Sequence, residues 1–303
     1  MLIENPDTPL TEIFDPILQE KEIRLLIKRE DLIDPHISGN KWFKLKYNLI
    51  EAKKLGHTKL LTFGGAYSNH IYSTAEAGNR FGFETIGVIR GEEHLPLNPT
   101  LSYAKSCGMQ FFYLDRTSYR NKYDEKILAT LENNFGKFYL IPEGGSNHLA
   151  VKGCSEIISR IKIPFDFICT ACGTGGTLAG LILGLDEKSK ALGFSALKGG
   201  DFLNVNVKNL LSFFRKDDFE NWQILTEYHF GGYAKFNNDL ILFCESFKEK
   251  YQIEIEPIYT GKMLWGLFDL IKNNFFKKNS VIVALHSGGL QGLKGLEEQG
   301  MIQ

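Results

Sequence analysis

Residues 38–47 read SGNKWFKLKY, which sets Lys41 at the opening of a helical pattern, directly behind Gly39 and Asn40. A helix N-terminus carries partial positive charge and disfavours a cation. Lys41 is therefore either an ordinary exposed lysine or an amine placed there for chemistry. A second feature is FDFICTACGTGGTLAGLILGL (165–185), a strand, a glycine-rich turn and an apolar helix. Gly173, Thr174, Gly175, Gly176 and Thr177 offer consecutive backbone amides and two hydroxyls at a helix start, an arrangement that cradles a phosphate. No Lys-Ser/Thr pair follows the glycines, so the turn is not a P-loop, and Leu178 stands where G-x-G-x-x-G has its last glycine. A phosphate monoester suits it better than a nucleotide. The alternative is a tight turn with glycines for close packing.

TFGGAYSNHIYSTAEAG (62–78) ends a strand in Gly64-Gly65 and starts a helix near Ser68. Ser68 reads as an N-cap. A Ser68–His70 hydrolase pair is disfavoured, because the G-x-S-x-G elbow is absent and residues two apart on a helix do not face each other. The Ser68 hydroxyl, the Asn69 amide and nearby N–H groups instead make a turn suited to a carboxylate. Tyr233 in YHFGGYAKF (228–236) and Tyr259 in EPIYTGKMLWGL (256–267) are hydroxyl donors or packing residues. Ser287 in ALHSGGLQG (284–292) sits at the carboxyl end of a strand. Cys169 and Cys172 form a C-x-x-C, but Cys169 lies inside an apolar strand run and no second pair or spaced histidines complete a metal site. They read as buried small residues, and no metal is expected.

These groups need elements to hold them. Short β-type runs at 59–63, 84–89, 110–114 and 137–141, then at 165–171, 193–197, 222–225 and 280–285, alternate with helical stretches. That rhythm implies βαβ units and an α/β fold with parallel sheet. Runs apolar on both faces, such as SVIVAL (280–285), fit strands covered by helices on each side. Ligands of open α/β sheets bind beyond the carboxyl ends of the strands, where the glycine-rich turns fall. A length of 303 residues exceeds one typical core without requiring more than two domains, and 43% hydrophobic and 23% charged content is ordinary for a globular protein. A net charge of −1 without a Lys/Arg run gives no sign of nucleic acid or an anionic membrane as partner. No basic stretch leads into an apolar one at the N-terminus and no apolar run suits a spanning helix. Five cysteines, an odd number, do not suggest a disulfide framework, so a reduced cytoplasm is expected.

A reactive lysine, a compact phosphate cradle, a carboxylate turn and strand-end hydroxyls together match what pyridoxal 5'-phosphate requires of a protein. GNKWFKLKY, GGAYSNH, CGTGGT, GGYAKF, EPIYTGK and LHSGG also occur in the order found in the 1-aminocyclopropane-1-carboxylate deaminase / D-cysteine desulfhydrase family, which the chain resembles from about residue 8 to 295. The resemblance implies two-domain open twisted sheets of PLP fold type II, the tryptophan synthase β-subunit fold. It implies a small domain over 42–141, a large cofactor-binding domain from 1–41 and 142–303, and a homodimer. It further implies that Lys41 is the Schiff-base lysine and that Gly173–Thr177 hold the phosphate. Ser68 and Asn69 would meet the substrate carboxylate and the cofactor's 3′-oxygen, with His70 among the substrate-binding residues. Tyr233 and Tyr259 would be the active-site tyrosines, and Ser287 the hydroxyl facing the pyridine nitrogen. Deaminases of the family carry Tyr-Glu where this chain has Tyr259-Thr260. A carboxylate there holds the ring nitrogen protonated and a hydroxyl does not. The expectation is an α,β-elimination lyase acting on a small amino acid, D-cysteine first, giving pyruvate, sulfide and ammonia. Alternatives are the cyclopropane deaminase, elimination or replacement on serine, chloroalanine or O-acetylserine, and a non-catalytic nucleotide-binding α/β protein.

Overall fold

The computed structural model describes residues 4–214 and 219–302. The chain forms two compact units: a larger one from 5–44 and 146–290, and a smaller one from 45–145 together with residues from 291 onward. The family resemblance instead implies a small domain over 42–141, with 142–303 in the large one.

Ten strands run through the described residues: β1 (Leu10–Ile13), β2 (Arg24–Lys28), β3 (Lys59–Gly64), β4 (Glu84–Arg90), β5 (Gln110–Leu114), β6 (Tyr139–Ile141), β7 (Phe167–Cys172), β8 (Lys190–Ser195), β9 (Trp222–Leu225) and β10 (Val281–Leu285). In the larger unit they form a sheet of order β1-β2-β10-β7-β8-β9. Only the β1–β2 pair is antiparallel. The smaller unit holds a four-stranded parallel sheet of order β5-β4-β3-β6.

Parallel pairing puts the carboxyl ends of neighbouring strands on one edge. Register matches Leu285 to Lys28, Ala284 to Cys169 and Cys172 to Ser195. The segments after β10, β7 and β8 therefore leave the same edge of the larger sheet, and these carry Ser287, the Gly173–Thr177 loop and Ala196. In the smaller unit, β3 ends at Gly64 and runs directly into the Ser68 turn.

Both sheets are buried on two faces. Leu25, Ile27, Phe194, Ile282 and Ala284 pack with Leu264 and Leu267 of the helix Thr260–Lys272. Leu61, Phe63, Ile86 and Val88 pack with Tyr119 and Leu131 in the smaller unit. Each fully buried leucine or phenylalanine contributes about 1.5–3 kcal/mol, so the strand edges that bear the polar turns are fixed from beneath.

Sequence periodicity missed β1 and β2. The apolar centre of β2 is flanked by Arg24 and Lys28, and Lys28 is buried because its ammonium donates to the carbonyl and hydroxyl of Thr8 at 2.6 and 2.7 Å. β8 begins three residues earlier than the apolar run at 193–197, carried there by pairing with β7.

Candidate active site

The helix Asn40–Lys54 begins against the end of β10. Gly39 has φ +64°, and a Cβ there would lie 1.9 Å from the Ser287 carbonyl oxygen. Only glycine permits that backbone angle and that approach together. The Asn40 N–H then donates to the same Ser287 carbonyl at 3.2 Å. Gly39-Asn40-Lys41 and the His286-Ser287-Gly288 turn thus hold each other.

Lys41 is partly buried, and its Nζ donates to Asn40 Oδ1 at 2.9 Å. Asn40 in turn donates through Nδ2 to Thr177 Oγ1 at 2.8 Å. One side-chain amide therefore ties the lysine to the last residue of the glycine-rich loop. Burial pushes the Lys41 pKa down to about 7, helped by the like charge of Lys44 and opposed weakly by Cys154. The amine at the helix start is held close to neutrality, which resolves the conflict with the helix dipole.

Lys44 lies one turn further along the same face and is 3% exposed. Its Nζ donates to Ser146 Oγ at 3.1 Å, and Ser146 Oγ lies 2.5 Å from Thr174 Oγ1. Gly175 caps the helix Gly176–Gly184 with φ +82°. A Cβ at Gly176 would stand 2.5 Å from Ser146 Oγ and 3.3 Å from Lys44 Nζ. The loop thus combines the first amides of a helix, which have no intrahelical acceptor, with one ammonium and two clustered hydroxyls. That donor set, around a cradle which a methyl group would fill, fits a phosphate monoester.

Tyr259 stands next to this loop. A Cβ on Gly173 would be 3.1 Å from its ring. The ring meets Tyr233 edge-on at 6.0 Å between centroids. Tyr259 caps the helix Thr260–Lys272, and Glu256 accepts from the N–H groups of Ile258, Tyr259 and Thr260 at 2.7–3.0 Å. Burial raises the Glu256 pKa to about 7 against those amides. Thr260 itself is fully buried. Lys41, the 173–177 loop, Tyr233, Tyr259 and Ser287 all belong to the larger unit.

Ser68, Asn69 and His70 belong to the smaller one. Ser68 caps the helix Asn69–Phe81 and accepts from the N–H groups of His70 and Ile71 at 3.2 and 3.4 Å. Its hydroxyl proton is left to donate elsewhere. His70 is 2% exposed, with Nε2 2.8 Å from Thr62 Oγ1. Thr62 spends its own proton on the Ile141 carbonyl, so His70 Nε2 is the donor. Through this atom His70 braces the turn against β3 and β6.

Asn40, Lys44 and Ser146 were not singled out from sequence. The i, i+3 spacing of Lys41 and Lys44 carried a signal for the second lysine, since such residues share a helix face. Ser146 carried none, because it reaches the loop only through the fold. Cys169 and Cys172 are buried free thiols, and burial lifts the Cys172 pKa to about 12. They are packing residues. Among the described residues no group of three or more His, Cys, Asp or Glu could hold a metal ion, and no helix is long and apolar enough to cross a membrane.

With that geometry, the chain belongs to the family described as pyridoxal-phosphate dependent enzyme, whose model matches residues 3–288. It is a pyridoxal-phosphate enzyme of fold type II, and the nucleotide-binding alternative falls away. The chain is 31% identical over 300 residues to a putative 1-aminocyclopropane-1-carboxylate deaminase of Pyrococcus horikoshii, covering 94% of this chain and 90% of that one. It is 29% identical to the mitochondrial bifunctional D-cysteine desulfhydrase/1-aminocyclopropane-1-carboxylate deaminase of Arabidopsis thaliana, covering 89% of this chain and 73% of the relative. A solved structure of an ACC deaminase homologue superposes with a TM-score of 0.84 at 29% identity, over 97% of this chain and 92% of the other.

Proposed function

We propose that the protein is a lyase performing α,β-elimination on D-cysteine, with pyruvate, sulfide and ammonia as products. The observation that carries the choice of reaction is at Thr260. A fully buried hydroxyl residue stands where a deaminase of this family places a carboxylate, and the neighbouring Glu256 carboxylate is already committed to three backbone amides. No carboxylate of that pair is left to keep a ring nitrogen protonated. Expelling a β-thiol asks less of the electron sink than opening a cyclopropane.

In this reading Lys44, Ser146, Thr174 and the amides at the start of the helix Gly176–Gly184 would hold the cofactor's phosphate, and Ser287 would offer its hydroxyl to the ring. Bound pyridoxal phosphate supplies an electron sink that makes a proton at the substrate's Cα removable. Lys41, near neutral, takes that proton on Nζ, and Asn40 holds the resulting ammonium through Oδ1. The C–S bond breaks, and a phenol of Tyr233 or Tyr259 gives its proton to the departing sulfur. Within the smaller unit, the Ser68 hydroxyl and the Asn69 amide form a helix-start turn whose chemistry suits a carboxylate. The five free cysteines support a reducing cytoplasm, and the family resemblance supports a homodimer.

The second reading is ring opening of 1-aminocyclopropane-1-carboxylate, favoured by the names of the relatives above. Cofactor-loaded protein incubated separately with D-cysteine, L-cysteine and 1-aminocyclopropane-1-carboxylate decides between them. Sulfide and pyruvate from D-cysteine alone are expected. 2-Oxobutyrate from the cyclopropane substrate would overturn the weight placed on Thr260.

A further inference from the structure

The helix Thr260–Lys272 carries a second buried charge that no step above uses. Lys262 is 1% exposed. Its Nζ donates to the main-chain oxygens of Gly232 at 2.8 Å, His229 at 2.9 Å and Ala196 at 3.4 Å. An ammonium has three protons, so all of them go to main-chain carbonyls. No salt bridge to it forms among the described residues. Burial pulls its pKa down to about 8, with Glu256 opposing. The first turn of a helix is also an unfavourable place for a cation. A group kept under those conditions is compensated by what it holds.

What it holds is a strained loop. Phe230, Gly231, Gly232 and Ala234 have φ of 52, 95, 122 and 53°, so four of the five residues from 230 to 234 are in the positive-φ region. Non-glycine residues persist there only when surroundings over-determine them. Three carbonyl dipoles converging on one point also repel one another unless a cation sits between them. Tyr233 lies within this loop and is 40% exposed, so its position depends on the loop backbone more than on packing. Lys262 reaches the loop from the same helix start that presents Tyr259, whose ring Tyr233 meets.

We propose that Lys262 is a positioning residue, a tethered monovalent cation that ties two carbonyls of the 229–234 loop, His229 and Gly232, to that of Ala196 after β8 and so fixes the loop where Tyr233 meets Tyr259. Its bearing on catalysis rests on the reading in which the two tyrosines serve the reaction. The fixing of the loop does not.

Two measurements on the cofactor-loaded protein test the proposal. The first is amide hydrogen exchange in the peptide spanning 229–235, for the wild type and Lys262→Ala. Losing charge-assisted hydrogen bonds should speed exchange roughly tenfold or more. Potassium or ammonium should restore protection in Lys262→Ala, while tetramethylammonium at equal ionic strength, too large for the cradle, should not. Unchanged exchange, or exchange indifferent to the cation, would overturn the proposal. The second is a kcat cycle with D-cysteine using Lys262→Met, Tyr233→Phe and the double variant. If Lys262 acts through Tyr233, the double variant is no slower than Tyr233→Phe. Losses that multiply would refute that connection. If Tyr233→Phe turns over like wild type while the exchange results hold, the tyrosine reading fails and the loop role stands.

Discussion

The neutral state of Lys41 can be tested without any assay of turnover. A pKa of about 7 in place of the ordinary 10.5 has a large consequence at mildly alkaline pH. At pH 8 about 90% of the amine is unprotonated, against about 0.3% for an ordinary lysine, a difference of roughly 300-fold in reactive amine. Competitive acetylation of the cofactor-free protein across pH, read peptide by peptide by mass spectrometry, should give Lys41 a labelling midpoint near 7. Lys44→Met tests the cause. Burial is the larger contribution and the Lys44 charge the next, so removing that charge should move the midpoint upward while leaving it below 10.5. The same substitution removes the one ammonium at the glycine-rich loop. A charge-assisted hydrogen bond is worth about 1.5–3 kcal/mol, so cofactor affinity should fall roughly ten- to hundredfold. A wild-type midpoint near 10.5, or one that stays put or falls in Lys44→Met, would refute the reasoning.

Other substitutions probe the supports. Gly176→Ala places a methyl group 2.5 Å from Ser146 Oγ inside the phosphate cradle and should weaken cofactor binding at least about tenfold, measured by visible absorbance on titration. Gly39→Ala meets both a positive φ and the Ser287 carbonyl; it should lower stability in chemical denaturation by more than about 2 kcal/mol and release the cofactor. Asn40→Ala cuts the link from Lys41 to Thr177 and should reduce kcat more than KM in steady-state kinetics. Glu256 has a folded pKa of about 7 above its ordinary 4.5, so its contribution to stability is present below 4.5 and is lost as pH rises through 7. Glu256→Gln should flatten the stability profile over that window in denaturation curves taken from pH 4.5 to 7.5.

The local signals in the sequence were strong where backbone conformation alone dictates residue type. Gly39 must be glycine because of its angle and its contact, and the 173–177 glycines because a helix start must come close to other groups. Strands such as β3, β4, β7 and β10 were visible because their runs are buried on both faces. What sequence did not show are groups whose roles depend on distant partners. Lys28 looks like the end of a surface segment until Thr8 folds over it. Ser146 is an ordinary turn serine until Lys44 and Thr174 converge on it, 102 and 28 residues away in the chain. His70 also shows a link that only the fold makes: its Nε2 lies 2.8 Å from Thr62 Oγ1, eight residues earlier in the chain.

Four lysines of the larger unit, Lys28, Lys41, Lys44 and Lys262, have pKa values lowered by burial, and only Lys41 is assigned the cofactor. Borohydride reduction of the cofactor-loaded protein, followed by proteolysis and mass mapping, identifies the lysine that carries it. The account predicts a single modified peptide with the cofactor on Lys41. The cofactor on Lys44 or Lys262, or reduction that leaves Lys41 unmodified, would contradict it.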